Sequence, residues 1–171
     1  MFSVASLRWL LISALVIIAD QYSKYAVIAE FTLGDSKAIT PFFDLVLVLN
    51  HGAAFSFLAD GSGWRRWFFI ALALLISFFM SIQIRRFPEA RLDNLAYSLV
   101  IGGAIGNVMD RLNFGAVVDF LYFHVAGYGW PAFNVADSAI CIGVGLMIWS
   151  QLKVESKKRQ AKQADSSSPS A

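Results

Sequence analysis

Asp119 and Asp137 are two acids of this chain that no cation follows at helical spacing. They belong to a polar set (Asn107, Asp110, Arg111, Asp119, Asn134, Asp137) crowded into or beside apolar segments. An ionisable side chain at membrane depth is costly, so such a cluster points to function or to a partner. Two carboxylates in one low-dielectric site cannot both ionise easily, so one keeps a proton and the other stays a base. The base can activate a water against a peptide carbonyl, and the acid can protonate the oxygen or the leaving nitrogen. The titration would belong to the pair rather than to either residue.

The remaining polar residues fall into sets with helical spacing. Asp20 and Lys24 are i,i+4, Asn107, Asp110 and Arg111 are i,i+3,i+4, and Asn134 and Asp137 are i,i+3. Each set projects from one side of its helix. For Asp20/Lys24 and Asp110/Arg111 the plain reading is a buried pair that neutralises itself.

Other chemistries fit worse. The two histidines, His51 and His124, stand apart with no HExxH and no cysteine cluster, so no metal centre is expected. Ser23 and Lys24 are neighbours on a presumed helix and point different ways, a poor nucleophile–base pair. The glycines near Gly102 lie in an apolar helix and form no phosphate loop. The single cysteine, Cys141, reads as a small residue on a helix face. A net charge of +2 excludes nucleic acid as an expected partner.

Hydrophobic residues make up 57% of the 171 positions, charged residues make up 15%, and the mean hydropathy is +0.59. That composition predicts an integral membrane protein. Four apolar segments set the frame, at about 7–31, 64–84, 92–113 and 133–152. A cleavable signal peptide is the alternative for the first, but Asp20 and Lys24 interrupt its core. Gly102-x-x-x-Gly106 in the third allows a close helix approach. Between spans one and two, residues 39–50 hold a β-leaning run, Asn50-His51-Gly52 supplies a turn, and Ala53–Leu58 is expected to dip towards lipid. Ala116–Phe123 is a second strand-like run. Residues 155–171 read as a disordered tail beyond a single domain of residues 1–154.

Arg85, Arg86 and Arg91, with the basic tail, place that side in the cytoplasm, and Arg65 and Arg66 are expected to meet headgroups. Both termini are then cytoplasmic. Tracing direction along each span brings Asp20, Lys24, Asn107, Asp110, Arg111, Asn134 and Asp137 to the outer ends, beside Asn50 and Asp119 of the outer loops. A proton-coupled transporter would instead show repeat halves and charges near the midplane.

Five segments resemble the bacterial lipoprotein signal peptidase (signal peptidase II) family: Asp20-Gln21-Tyr22-Ser23-Lys24, Asn50-His51-Gly52-Ala53-Ala54-Phe55-Ser56, Gly102 to Arg111, Val117-Val118-Asp119-Phe120 and Phe133-Asn134-Val135-Ala136-Asp137. The resemblance implies a mainly α, four-transmembrane-helix bundle with a small extracytoplasmic antiparallel β-cradle and a short amphipathic loop segment. It implies an aspartic endopeptidase of the bacterial inner membrane that cleaves prolipoproteins just before a diacylglyceryl-modified cysteine. Asp119 and Asp137 would be its catalytic pair. Asn50, Gly52, Asn107, Arg111 and Asn134 would position substrate or backbone, and Asp20, Lys24 and Asp110 would support the site. No cofactor is implied. The expected partners are the lipidated precursor, membrane lipid and the family's cyclic-peptide inhibitors.

Overall fold

The computed structural model of the chain describes residues 4–52 and 63–166. The Ala53–Leu58 stretch, expected as the amphipathic loop segment, lies outside the described residues. Four long helices and four strands follow in the order α1 (Val4–Glu30), β1 (Ser36–Thr40), β2 (Phe43–Asn50), α2 (Trp64–Arg86), α3 (Arg91–Phe114), β3 (Val117–Val125), β4 (Tyr128–Gly129) and α4 (Val135–Ser166).

Three of the helices are long and apolar enough to cross a membrane: Ser6–Glu30, Trp64–Arg86 and Val135–Gln160. The fourth, α3, is as long but less apolar, and packing gives the reason. It lies against α1, α2 and α4, and 12 of its 24 residues are buried. A surface clothed by other helices needs small residues more than oily ones. A Cβ on Gly103 would overlap the carbonyl of Ala136 in α4, and one on Gly102 would strike Val16 of α1. Those glycines therefore set how closely three helix backbones approach.

The strands form one antiparallel sheet in the order β1-β2-β3-β4. Its inner face packs Leu47, Val118 and Phe120 against Val27 near the end of α1, which fixes the sheet over one end of the bundle. At the other end Met80, Ile84, Val100 and Ile101 form a second core, and Trp9 donates its indole N–H to the carbonyl of Pro88 (3.0 Å).

Two expectations differ from the structure. The tail expected to be disordered from residue 155 continues α4 as helix to Ser166. Its Lys, Glu, Gln and Ala residues are strong helix formers, and Glu155 and Arg159 pair at i,i+4 (2.8 Å). The first strand also begins before the β-leaning run, at the exposed, mostly polar Ser36–Thr40. As an edge strand it has little to bury, so hydrophobic patterning missed its start.

Candidate active site

Asn50, Gly52 and Asp119 come together through strand register. Val48 pairs with Asp119 and Asn50 with Val117, so Asn50 and Asp119 are diagonal neighbours on one face of the sheet. Gly52 adopts a φ of +95°, and a Cβ there would press on the ring of Phe69. Its N–H donates to Asn50 Oδ1 (2.8 Å), a turn closed by the asparagine side chain. The Asn50 amide nitrogen is left to donate to Asp119 Oδ2 (2.9 Å).

The other acid stands at the start of α4. Asn134 caps this helix, its Oδ1 accepting the N–H of Asp137 (2.9 Å), as cap residues do for orphan amides in the first turn. Its Nδ2 donates to Asp119 Oδ1 (2.7 Å). Asn107 of α3 donates its Nδ2 to Asp137 Oδ1 (2.8 Å), and its Oδ1 faces the Asn134 amide (3.4 Å). Two asparagines therefore tie both acids into one hydrogen-bonded unit. Among the described residues neither Asp119 nor Asp137 enters an ion pair. Burial pushes the Asp119 carboxyl up to about 7, against hydrogen bonds from Asn50 and Asn134, and the charge of Asp137 pushes the same way.

Beneath this unit lies a buried brace. Lys24 Nζ contacts Asp20 Oδ2 (2.8 Å), Asp110 Oδ2 (2.7 Å) and Asn107 Oδ1 (3.2 Å). Each acid of the brace holds one backbone amide next to a candidate catalytic residue. Asp20 Oδ1 accepts the N–H of Ala136 (2.8 Å), and Asp110 Oδ2 accepts that of Val118 (3.0 Å). The expected Asp110/Arg111 pair does not form. Adjacent helical residues point about 100° apart, so Asp110 faces Lys24 of α1 while Arg111 lies over the ring of Phe69 (5.1 Å). Arg111 also donates to the carbonyl of Asn107 (3.2 Å).

One residue of this region was given no role from the sequence. Gln21 is buried and donates to Asp110 Oδ1 (2.9 Å), Asp20 Oδ2 and the carbonyl of Gly106 (both 3.2 Å). Its i,i+3 spacing to Lys24 was a usable signal. Arg66, expected at the headgroups, donates to the carbonyl of Leu112 near the end of α3 (3.1 Å), a favourable place for a cation. His51 is exposed, and His124 pairs with Asp44 (3.0 Å) on the sheet.

Two apolar grooves share Ile140, and the larger reaches Asp137. One, of about 510 Å3, runs between the 130–133 segment and the outer face of α4. The other, of about 200 Å3, lies between α2, α3 and α4 and reaches Asn107 and Arg111.

Comparison with known proteins gives the family. Residues 12–153 match the profile of the family described as Signal peptidase (SPase) II. The lipoprotein signal peptidase of Azoarcus sp. (strain BH72) is 56% identical over 158 residues, covering 92% of this chain and 90% of its own length. That of Cupriavidus necator is 49% identical over 151 residues, covering 88% and 86%. Among solved structures, a bacterial membrane enzyme determined by the in meso method at 2.3 Å is similar with a TM-score of 0.75 and 35% identity, covering 88% of this chain and 91% of that one. A second, at 1.9 Å, gives a TM-score of 0.73 and 34% identity over 85% and 93%. With nearly its whole length matched, this multi-pass bacterial membrane protein belongs to the signal peptidase II family and is a peptidase.

Proposed function

We propose that this peptidase removes signal peptides from lipid-modified prolipoproteins, cleaving just before the diacylglyceryl-modified cysteine with a water held between Asp119 and Asp137. The observation that carries the reading is the asparagine-bridged pair of acids, Asp119 buried and Asp137 half-buried, free of ion pairs among the described residues. The names of the relatives supply the substrate class.

The surroundings of the two acids divide their roles. Asp137 stands in the first turn of α4, where the helix dipole favours negative charge, and it interacts electrostatically with the Arg111 guanidinium. Asp119 sits on a strand, accepts hydrogen bonds among the described residues from the neutral amides of Asn50 and Asn134, and acts less strongly than Asp137 on the Arg111 guanidinium. Asp119 therefore carries the proton and Asp137 is the base. Asp137 takes a proton from the water as its oxygen attacks the carbonyl carbon, and Asp119 gives its proton to the carbonyl oxygen. As the C–N bond breaks, Asp137 passes the proton to the departing nitrogen and Asp119 recovers its own. The carboxylates supply both acid and base, so no metal or organic cofactor is invoked.

The chain crosses the bacterial inner membrane four times in this reading, α3 being the crossing shielded by protein, with both termini cytoplasmic and the site near the outer face. The basic residues Arg85, Arg86 and Arg91, and the lysines of α4 beyond Lys153, favour that orientation. A scissile bond at this level suits a substrate whose signal segment and acyl chains stay in lipid, each buried CH2 contributing about 0.8 kcal/mol. Cyclic-peptide inhibitors of the family are expected at the same pair.

Purified enzyme offered a precursor peptide with and without the diacylglyceryl group tests the substrate. Cleavage before the lipidated cysteine, with little cleavage of the bare peptide, is expected. Equal cleavage of both, or none of either, would contradict the assignment.

A further inference from the structure

The larger groove beside Asp137 has one polar end and otherwise apolar walls. Asp137 and Ser138 close one end, and Trp130, Pro131, Phe133 and Ile140 line it down to Cys141. Below Cys141 the same face of α4 continues through Val144, Ile148 and Leu152, at i+3 and i+4 steps. All three are exposed on a helix long and apolar enough to cross a membrane. The groove thus leads from a reacting carboxylate onto an exposed apolar helix surface, and Asp137 is the one charged residue among those that line it.

The smaller groove is different. It lies between three helices, and its polar end carries the Arg111 guanidinium and the Asn107 amide. A helix of about 10–12 Å diameter enters neither groove, so the signal segment can offer only side chains or extended backbone. The lipid follows the scissile bond and must stay continuous with the bilayer, and the larger groove offers that continuity along the exposed apolar face of α4.

We propose that the groove between Trp130–Phe133 and the Ile140–Cys141 face of α4 is the binding site for a long acyl chain of the substrate's lipid anchor. This rests on the lipoprotein reading above and assigns its lipid a place. Trp130 and Phe133 roof the chain, Ile140 separates it from the peptide side, and its far end lies along Val144 in the bilayer. Selection for lipidated cysteine then comes from apolar burial next to the pair rather than from a polar contact.

Cys141 is the single cysteine of the chain and is exposed at the lower end of the groove, so it reports occupancy. Maleimide labelling of the Asp119→Asn enzyme in detergent would be followed with a diacylglyceryl-modified precursor peptide or its S-methyl counterpart. The lipidated peptide is expected to slow labelling several-fold and the S-methyl peptide not to. In otherwise wild-type enzyme, Cys141→Trp fills the groove. The ratio of kcat/KM for a long-chain over a short-chain diacyl substrate should then fall about tenfold, the scale of small changes in an apolar pocket. Equal labelling with both peptides, or an unchanged ratio, would overturn the assignment. If wild-type enzyme ignores lipidated precursor altogether, it is the lipoprotein reading that fails, a result visible without either variant.

Discussion

At the scale of single residues, the division of labour between the two acids follows from what surrounds each. Burial holds Asp119 near 7, so at neutral pH a large share of it is the neutral acid. A raised carboxyl has a definite sign: its contribution to stability is complete below the ordinary carboxylate range and is lost as pH rises through about 7. In the proposed mechanism the same proton starts the reaction. On the alkaline side, kcat/KM is therefore expected to fall about tenfold per pH unit above an apparent value near 7, read as a property of the pair. A rate flat from pH 6 to 9 would count against Asp119 as the acid. Both acids were legible in the sequence because no cation accompanies either. The partner of Asp110 was not, since the contact with Lys24 crosses from α3 to α1 and no local spacing encodes it.

At the scale of elements, Lys24 holds α1, α3 and the start of α4 in one arrangement through Asp20, Asp110 and Asn107. Lys24→Met would leave two buried carboxylates without a cation, at a cost of about 3–5 kcal/mol. A marked drop in the unfolding temperature in detergent is expected. Neutralising all three residues (Asp20→Asn, Lys24→Met, Asp110→Asn) should recover much of it, because no uncompensated charge remains. A triple variant less stable than the single one would refute the brace. The long helices were legible as apolar runs, and the strands of β2 and β3 as β-branched and aromatic ones. The polar edge strand β1 was not, because strand identity there comes from pairing with β2 rather than from burial. The helical run beyond Lys153 has helix-forming residues but no apolar face, so a reading built on hydrophobic periodicity passed over it.

At the scale of the whole molecule, a bundle with polar residues gathered at one end carries a sheet over that end, which is what a peptidase working at a lipid–water boundary requires. The four crossings proposed above predict which loops face out. Alkaline phosphatase fused after Asp35 or Tyr128 should be active, and fused after Pro88 or Lys162 inactive. The reverse pattern would put the site on the wrong side. The central claim is that Asp119 and Asp137 together cleave the peptide bond. Its most direct test is single-turnover cleavage of lipidated precursor by purified Asp119→Asn and Asp137→Asn enzymes shown to be folded. Each is expected to lose about three to four orders of magnitude in rate while still binding the precursor; cleavage by either within tenfold of wild type would contradict the claim.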